Sequence, residues 1–333
     1  MRILRKLTQT FGVSGRESAI NEVITELVKD YADDITTDGI DNLIVYKKGS
    51  GKNRKKVMVS MHKDEIGFMV MSIDSDGYLK VRNVGGINVA TTVMNRIQFR
   101  NGTVGIVGFS KGLGKLEGGV LDMYVDIGAK SKEDAEKKVQ VGDVACYMGD
   151  VVKLKNGRVA SKAMDNRIGC YIGIKVLMQL EDPYHDMYFV FSSQEELGLK
   201  GATVASRIVK PDIGIAVDIT GSYDTPESKG GNMKLGGGAA IKVMDRSVIC
   251  DEDLVTAMVD ICKSGNIKYQ MDILPSGGTD AGAMNISNHG VRAGGISIPT
   301  RNGHGPNGMV DMKDVDACIK LLLAFALKEP EQN

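Results

Sequence analysis

The sequence predicts an α/β fold interrupted by an inserted β-rich unit, and three observations predict it. Beyond residue 159, segments with helical spacing of apolar residues alternate with short apolar runs, the order in which helices cover a largely parallel sheet. Between residues 68 and 158 this texture gives way to short alternating segments separated by SDG, GG and NG turns, the mark of antiparallel hairpins. No internal repeat of solenoid length is present. The expected division is an α/β domain over 1–67 and 159–333, with 68–158 inserted as a β-rich domain.

The elements follow in order. In SGRESAINEVITELVKDYA, Ser14 and Glu17 stand before Ile20, Val23, Ile24, Leu27 and Val28, which share one helical face, so this segment predicts the first helix with a capping box. NLIVYKK and KKVMVSMH read as strands, the second ending at His62. YLKVRNV, MNRIQFR and TVGIVGF are strands of the insert. Helix DNRIGCYIGIKVLMQL, strand MYFVFSS, strand IGIAVDIT, helix DEDLVTAMVDICKS, strand VRAGGISIP and helix VDACIKLLLAFALKE complete the α/β domain.

Composition narrows the function. Forty-two basic and 42 acidic residues cancel without a long block of one sign, which argues against nucleic acid or an anionic membrane as the main partner. The basic start MRILRK is followed by no signal-peptide core, and no stretch approaches ~18 apolar residues, so a soluble, cytoplasmic protein is expected. Cys146, Cys170, Cys250, Cys262 and Cys318 are odd in number, scattered and without CxxC spacing, and are expected as reduced, buried thiols. Glycine makes up roughly 12% of the chain against about 7% on average, which implies many tight turns and close backbone approaches.

Histidine is scarce, so its placement is informative: only His62, His185, His289 and His304 occur. His62 ends a strand two residues before Asp64, Glu195 and Glu196 follow MYFVFSS, Asp218 lies in IGIAVDIT, Asp165 opens a helix, and His304 lies in the loop PTRNGHGPNG. Strand ends on one edge of an open α/β sheet are where ligands bind. Neighbouring side chains on an extended backbone point opposite ways, so Glu195 and Glu196 can serve one site only if a turn separates their directions. A mixed set of imidazoles and carboxylates suits zinc, cobalt or manganese, whereas calcium or magnesium would favour oxygen ligands alone. SGGTDAGAMN reads either as a helix entry offering N–H groups to an anionic substrate group or as an N-cap at Thr279 or Asp280. VGFSKGLGKLEGG lacks the GKS/T ending and βαβ setting of a nucleotide loop and is not read as one.

HKDEIG, SKAMDNRIG, QEELGLKGA, AVDIT, SGGTDAGA and IPTRNGH, in this order, resemble the motifs of tetrahedral, glutamyl-aminopeptidase-like metallopeptidases over nearly the whole chain. The resemblance implies a phosphorylase/hydrolase-like catalytic domain with a central mixed sheet flanked by helices, a small β-barrel dimerisation domain inserted after DEIG, and assembly of dimers toward a hollow dodecamer. It implies two divalent metal ions per subunit. Asp165 would bridge them, with His62 and Asp218 on one and Glu196 and His304 on the other; Glu195 would be the general base and Asp64 the acid that orients His62. A cis peptide between Asp165 and Asn166 is also implied. The substrates would be short peptides, shortened from the N-terminus.

The resemblance departs at RNGHGPNG, where Gly305 and Gly308 replace the Ser and Glu common in relatives, so a weaker hold on His304 and its metal is expected. Two rival readings remain. Paired carboxylates also serve glycoside hydrolysis, and relatives have been described as endoglucanase-like, but the chain has no Trp and only 5% aromatic residues for sugar stacking. A non-catalytic metal-binding scaffold would have no need of Glu195.

Overall fold

The computed structural model describes residues 1–110, 119–226, 228 and 231–328. Residues 111–118, in the glycine-rich segment not read as a nucleotide loop, lie outside the described residues, as does Glu329 at the end of the last expected helix.

The chain begins with α1 (Arg2–Gln9) and α2 (Ser18–Val28), then β1 (Asp34–Thr37), β2 (Leu43–Lys47) and β3 (Lys56–His62). The insert holds β4 (Gly67–Ile73), β5 (Leu79–Val84), α3 (Val89–Thr92), β6 (Arg96–Phe99), β7 (Val104–Phe109), β8 (Met123–Asp126), α4 (Lys132–Glu136) and β9 (Val144–Tyr147). The chain continues with β10 (Val152–Lys153), β11 (Arg158–Ser161), α5 (Met164–Leu177), β12 (Asp186–Ser192), α6 (Lys200–Val209) and β13 (Ile213–Gly221). It closes with β14 (Ala239–Met244), α7 (Glu252–Ser264), β15 (Tyr269–Ile273), α8 (Asp280–Asn285), β16 (Arg292–Arg301), β17 (Gly308–Asp311) and α9 (Met312–Leu327).

The large mixed sheet runs β1-β2-β12-β3-β13-β16-β17-β11-β10, with β14 and β15 attached beside β16. Its centre is parallel: β3 lies between β12 and β13, and β13 pairs with β16. Strands buried on both faces read as continuous apolar runs, which explains KVMVSMH and MYFVFS. Val57, Val59, Met61, Phe189 and Phe191 join α5 and α9 side chains in the main core, each large one contributing about 1.5–3 kcal/mol by burial. This parallel register places His62 opposite Ser192, so β3 and β12 end together and deliver their following residues to one edge.

The insert closes into a six-stranded antiparallel barrel, β4-β5-β8-β7-β6-β9, around its own core. Phe68 meets Tyr147 edge to face there, ring centroids 5.3 Å apart. The fold is thus mixed α/β with a large sheet and a closed barrel. Glu65, just before the barrel, is tied back to the sheet unit by Lys162, whose Nζ donates to Glu65 Oε2 at 2.6 Å with both side chains buried.

Several sequence expectations change. The barrel strands end at Tyr147, whereas β10 and β11 pair with each other and β11 with β17 in the large sheet, so the segment expected in the insert through residue 158 is divided. A short hairpin around KNG has the same period of two in either sheet, and the pattern cannot say which edge it joins. A helix precedes the expected first one: α1 buries Leu4, Leu7 and Thr8 and turns its basic residues outward. The capping box does not form, because α2 begins at Ser18 and neither Ser14 nor Glu17 caps it by side chain. All five cysteines are buried and unbridged. Among the described residues no helix is long and apolar enough to cross a membrane.

Candidate active site

At the edge where β3, β12, β13 and β16 end, the side chains converge on Asp165. His62 points its Nε2 into the cluster, 3.1 Å from Asp165 Oδ1, 3.7 Å from Asp218 Oδ1 and 3.9 Å from Glu195 Oε2. His304 brings its Nε2 to 3.0 Å from Asp165 Oδ2 and 3.4 Å from Glu196 Oε1. The two carboxylate oxygens of Asp165 thus face one imidazole each. Asp165 reaches this position at the start of α5, where its backbone is non-helical and the Asp165–Asn166 peptide is cis. His185 and His289 stay out: the Nδ1 of His185 accepts the Lys55 N–H at 3.0 Å, and His289 is exposed.

Both rings are oriented from behind. His62 Nδ1 lies 3.2 Å from the Asp64 carbonyl oxygen, and His304 Nδ1 lies 2.8 Å from the Gly86 carbonyl oxygen. An Nδ1–H donated to a carbonyl leaves the Nε2 lone pair free to bind a cation. The expected orienting carboxylate of Asp64 is farther, with Oδ1 at 3.5 Å from His62 Nδ1. That carboxylate mainly holds backbone. Its Oδ1 accepts the Glu195 N–H at 3.0 Å, Oδ2 accepts the Glu196 N–H at 3.2 Å, and the Ser14 hydroxyl donates to Oδ2. Gly86 sits in the loop leaving β5, beside Gly85. A Cβ on Gly85 would stand 2.9 Å from Glu196 Oε2 and one on Gly86 2.8 Å from His304 Nδ1, so the pair of glycines lets the barrel loop approach the site.

The electrostatics fit a cation. Burial raises the Glu196 carboxyl to about 7, with Asp165 adding repulsion, and raises Asp218 to about 8, with Asp165 and Asp280 adding theirs. Glu195 is pushed well above the usual carboxylate range by burial and by the charges of Asp218, Asp280 and Glu196. Burial would lower His62, but the carboxylates around it, Glu195 and Asp218 foremost, hold it well above its ordinary value. The Asp165 hydrogen bond is the chief cause that lifts His304 to about 10. Asp165 itself is lowered despite burial, because both imidazoles contact it. Crowded, buried carboxylates that favour positive charge, together with two aimed imidazole nitrogens, form the donor set of a borderline divalent cation. Among the described residues, three groups have ligand atoms within 4.8 Å of one another: His62, Asp165 and Asp218; His62, Glu195 and Glu196; and Asp165, Glu196 and His304.

The segment SGGTDAGAMN places Thr279 at the N-cap of α8, as one of its two readings expected. Thr279 forms no side-chain cap bond to α8 and donates instead to Asp245 Oδ2 at 2.8 Å. Asp280 is buried beneath the site, where its Oδ2 accepts the hydroxyls of Ser60 on β3 and Ser192 on β12, each at 2.6 Å. It therefore clamps the two strands that lead to His62 and Glu195. Sequence reasoning also missed Gly86 and the contribution of Ser14, since both act across long stretches of chain.

The M42 glutamyl aminopeptidase family profile matches residues 41–321. A putative aminopeptidase of Acetivibrio thermocellus is 45% identical over 96% of this chain and 96% of its own length. A lysyl aminopeptidase of Pyrococcus furiosus is 36% identical over 97% and 95% of the two chains. Among solved structures, the aminopeptidase APDkam598 of Desulfurococcus kamchatkensis superposes with a TM-score of 0.93 at 34% identity, covering 98% of this chain and 94% of its own. The TET1 peptidase of Pyrococcus horikoshii, described as assembling into a tetrahedron or a large octahedral shell, gives 0.88 at 30% identity over 98% and 99% of the chains. The profile's range takes in the barrel and the positions gathered around Asp165, and the chain belongs to the M42 glutamyl aminopeptidase family of peptide hydrolases.

Proposed function

We propose that this protein is a dinuclear metallo-aminopeptidase that removes N-terminal residues from short peptides in the cytoplasm. The observation that carries the reading is Asp165, with one oxygen on each of two imidazoles that are themselves flanked by Asp218 and Glu196. His62, Asp165 and Asp218 would hold one divalent cation, and Asp165, Glu196 and His304 the other; zinc or cobalt suits the donors best, with manganese also compatible. Such a pair supplies acidification of the attacking water and polarisation of the scissile carbonyl.

Glu195 does the proton work. Its carboxylate lies 3.9 Å from His62 Nε2, inside the cluster but outside both of those ligand groups. Its raised pKa suits a group that accepts a proton from water and returns it to the leaving amine near neutral pH. Asp64 holds the backbone that aims it. Excess carboxylate charge also favours the free ammonium end of a peptide, which accounts for removal of one residue at a time.

The barrel is proposed as the surface for self-association into dimers and, from them, a dodecamer. Met94, Ile106 and Leu121 are exposed on it, at 70%, 54% and 69%. The assembly described for the P. horikoshii relative supports this direction.

The test is hydrolysis of peptides and of cellulose before and after chelation. Peptide cleavage abolished by chelator and restored by zinc or cobalt is expected. Full peptidase activity in a verified metal-free preparation, or cleavage of cellulose alone, would remove the basis for the assignment.

A further inference from the structure

The turn that presents Glu195 and Glu196 has its carbonyls held locally by the N–H groups of Gly198, Leu199, Lys200 and Gly201, whereas its own N–H groups are held by side-chain oxygens distant in sequence. Four consecutive backbone N–H groups donate to such oxygens: Ser193 to Asn42 Oδ1 at 2.8 Å, Gln194 to Glu17 Oε1 at 3.1 Å, Glu195 to Asp64 Oδ1 at 3.0 Å, and Glu196 to Asp64 Oδ2 at 3.2 Å. Two of these grips trace back to the N-terminal segment. Glu17 acts directly, and Ser14 acts through its hydroxyl on Asp64 Oδ2.

That segment is docked by its backbone. Ser14 N–H donates to the Glu65 carbonyl at 3.2 Å, Glu65 N–H to the Gly12 carbonyl at 3.0 Å, and Gly12 N–H to Glu65 Oε1 at 3.1 Å. Ser14 is 5% exposed, Glu17 2% and Asp64 0%. A carboxylate at the start of a helix ordinarily caps it, yet Glu17 forms no side-chain cap bond with α2. Burying it is costly unless its oxygens are satisfied, and Gln194 N–H is the donor it meets from across the fold.

The direction of Glu195 depends on this contact. Gln194 adopts φ 52°, a left-handed conformation that side-chain-bearing residues rarely adopt. Releasing its N–H lets the turn relax toward ordinary φ. The peptide planes carrying Glu195 and Glu196 then rotate with it.

We propose that Ser14 and Glu17 are positioning residues of the active site: through Gln194 N–H and Asp64 they set the directions of Glu195 and Glu196, and so govern both proton transfer and the cation held with Glu196. This rests on the proposed metallo-aminopeptidase function. The role is one of reach and geometry, which separates it from a general contribution of charge or fold stability.

The experiment compares Glu17→Gln, which keeps an acceptor oxygen at the same reach, with Glu17→Asp, which keeps the charge one methylene short, and Ser14→Thr with Ser14→Ala. Each is titrated with zinc as metal-free protein by calorimetry and assayed on a peptide substrate. Glu17→Asp and Ser14→Ala are expected to weaken the binding event that His304→Ala abolishes by about 10–100-fold, the usual effect of removing a partner that orients a ligand. The other event should stay within about threefold. kcat should fall over the same range with KM within about twofold, and Glu17→Gln and Ser14→Thr should remain near wild type in both readouts. Equal loss in Glu17→Gln and Glu17→Asp, equal weakening of both events with a lowered melting temperature, or no change in any variant would each overturn the proposal. Wild-type protein that takes up no zinc overturns the proposed function instead, while the kcat and KM comparison still decides whether the turn is positioned this way.

Discussion

His304 Nε2 lies 3.0 Å from Asp165 Oδ2, on the opposite carboxylate oxygen from the one that faces His62. The two rings differ in setting. His62 is 2% exposed at the end of an interior strand, whereas the His304 side chain is 43% exposed in a glycine-rich loop. Gly305 and Gly308 give that loop no side-chain brace, and the Gly86 carbonyl supplies one from outside it. Calorimetric titration of the metal-free protein is expected to give two unequal affinities, with His304→Ala erasing the weaker event and His62→Ala the stronger. Two equal, tight events would show that the carbonyl brace compensates for the glycines.

Replacing Glu195 by Gln is expected to keep fold and metal content while lowering kcat by about 10²–10⁴, because an amide cannot accept and return a proton. Metal analysis and circular dichroism serve as controls. Turnover within about threefold of wild type would assign the proton transfer elsewhere.

Stability of the chelated protein should fall as pH rises. The folded chain raises Glu196 to about 7, Asp218 to about 8 and His304 to about 10. Each keeps a proton over a range in which the unfolded chain has released it, so each contribution is fully present at low pH and is lost as pH passes the folded value. Thermal melts of chelated protein between about pH 5 and 10 should show a declining midpoint, while zinc affinity rises with pH because the ligands must lose their protons. A melting temperature that climbs across this range would contradict the assigned charge balance.

Lys162→Met leaves Glu65 buried without its ammonium partner, and breaking such a pair costs about 3–5 kcal/mol. Arg167 NH2, 3.7 Å from Glu65 Oε1, favours the lower end of that range. Urea unfolding provides the measurement. A loss below about 1 kcal/mol would mean that water reaches Glu65.

For the barrel, light scattering should show at least a dimer, and Ile106→Asp, on an outward position of β7, should dissociate it without lowering helical content. An intact wild-type monomer at micromolar concentration would contradict self-association.

Much of the site was legible because isolated acids and histidines interrupt or follow apolar runs, His62 at the end of β3, Glu195 and Glu196 just beyond β12 and Asp218 within β13. His62, Asp165, Glu195, Glu196, Asp218 and His304 all meet in the fold. What pattern reading lacks is pairing at a distance. Ser14 and Glu17 match a capping box in spacing, yet their partners are Asp64 and Gln194. Asp280 matches a helix start, yet it accepts hydroxyls from two strands. Local rules describe what a residue does for its neighbours in the chain, and these residues serve other segments. The β10–β11 hairpin was misplaced for a related reason, since edge strands alternate alike whichever sheet they join.

The Gly86 carbonyl belongs to the loop that leaves the second barrel strand, yet the ring it holds stands across the boundary on the sheet unit. Part of the support for the candidate site therefore comes with the insert. A lineage that exchanged this barrel for another module would have to rebuild the hold on His304 at the same time. Residues 85–86 are the junction at which change in the barrel and change around His304 constrain each other.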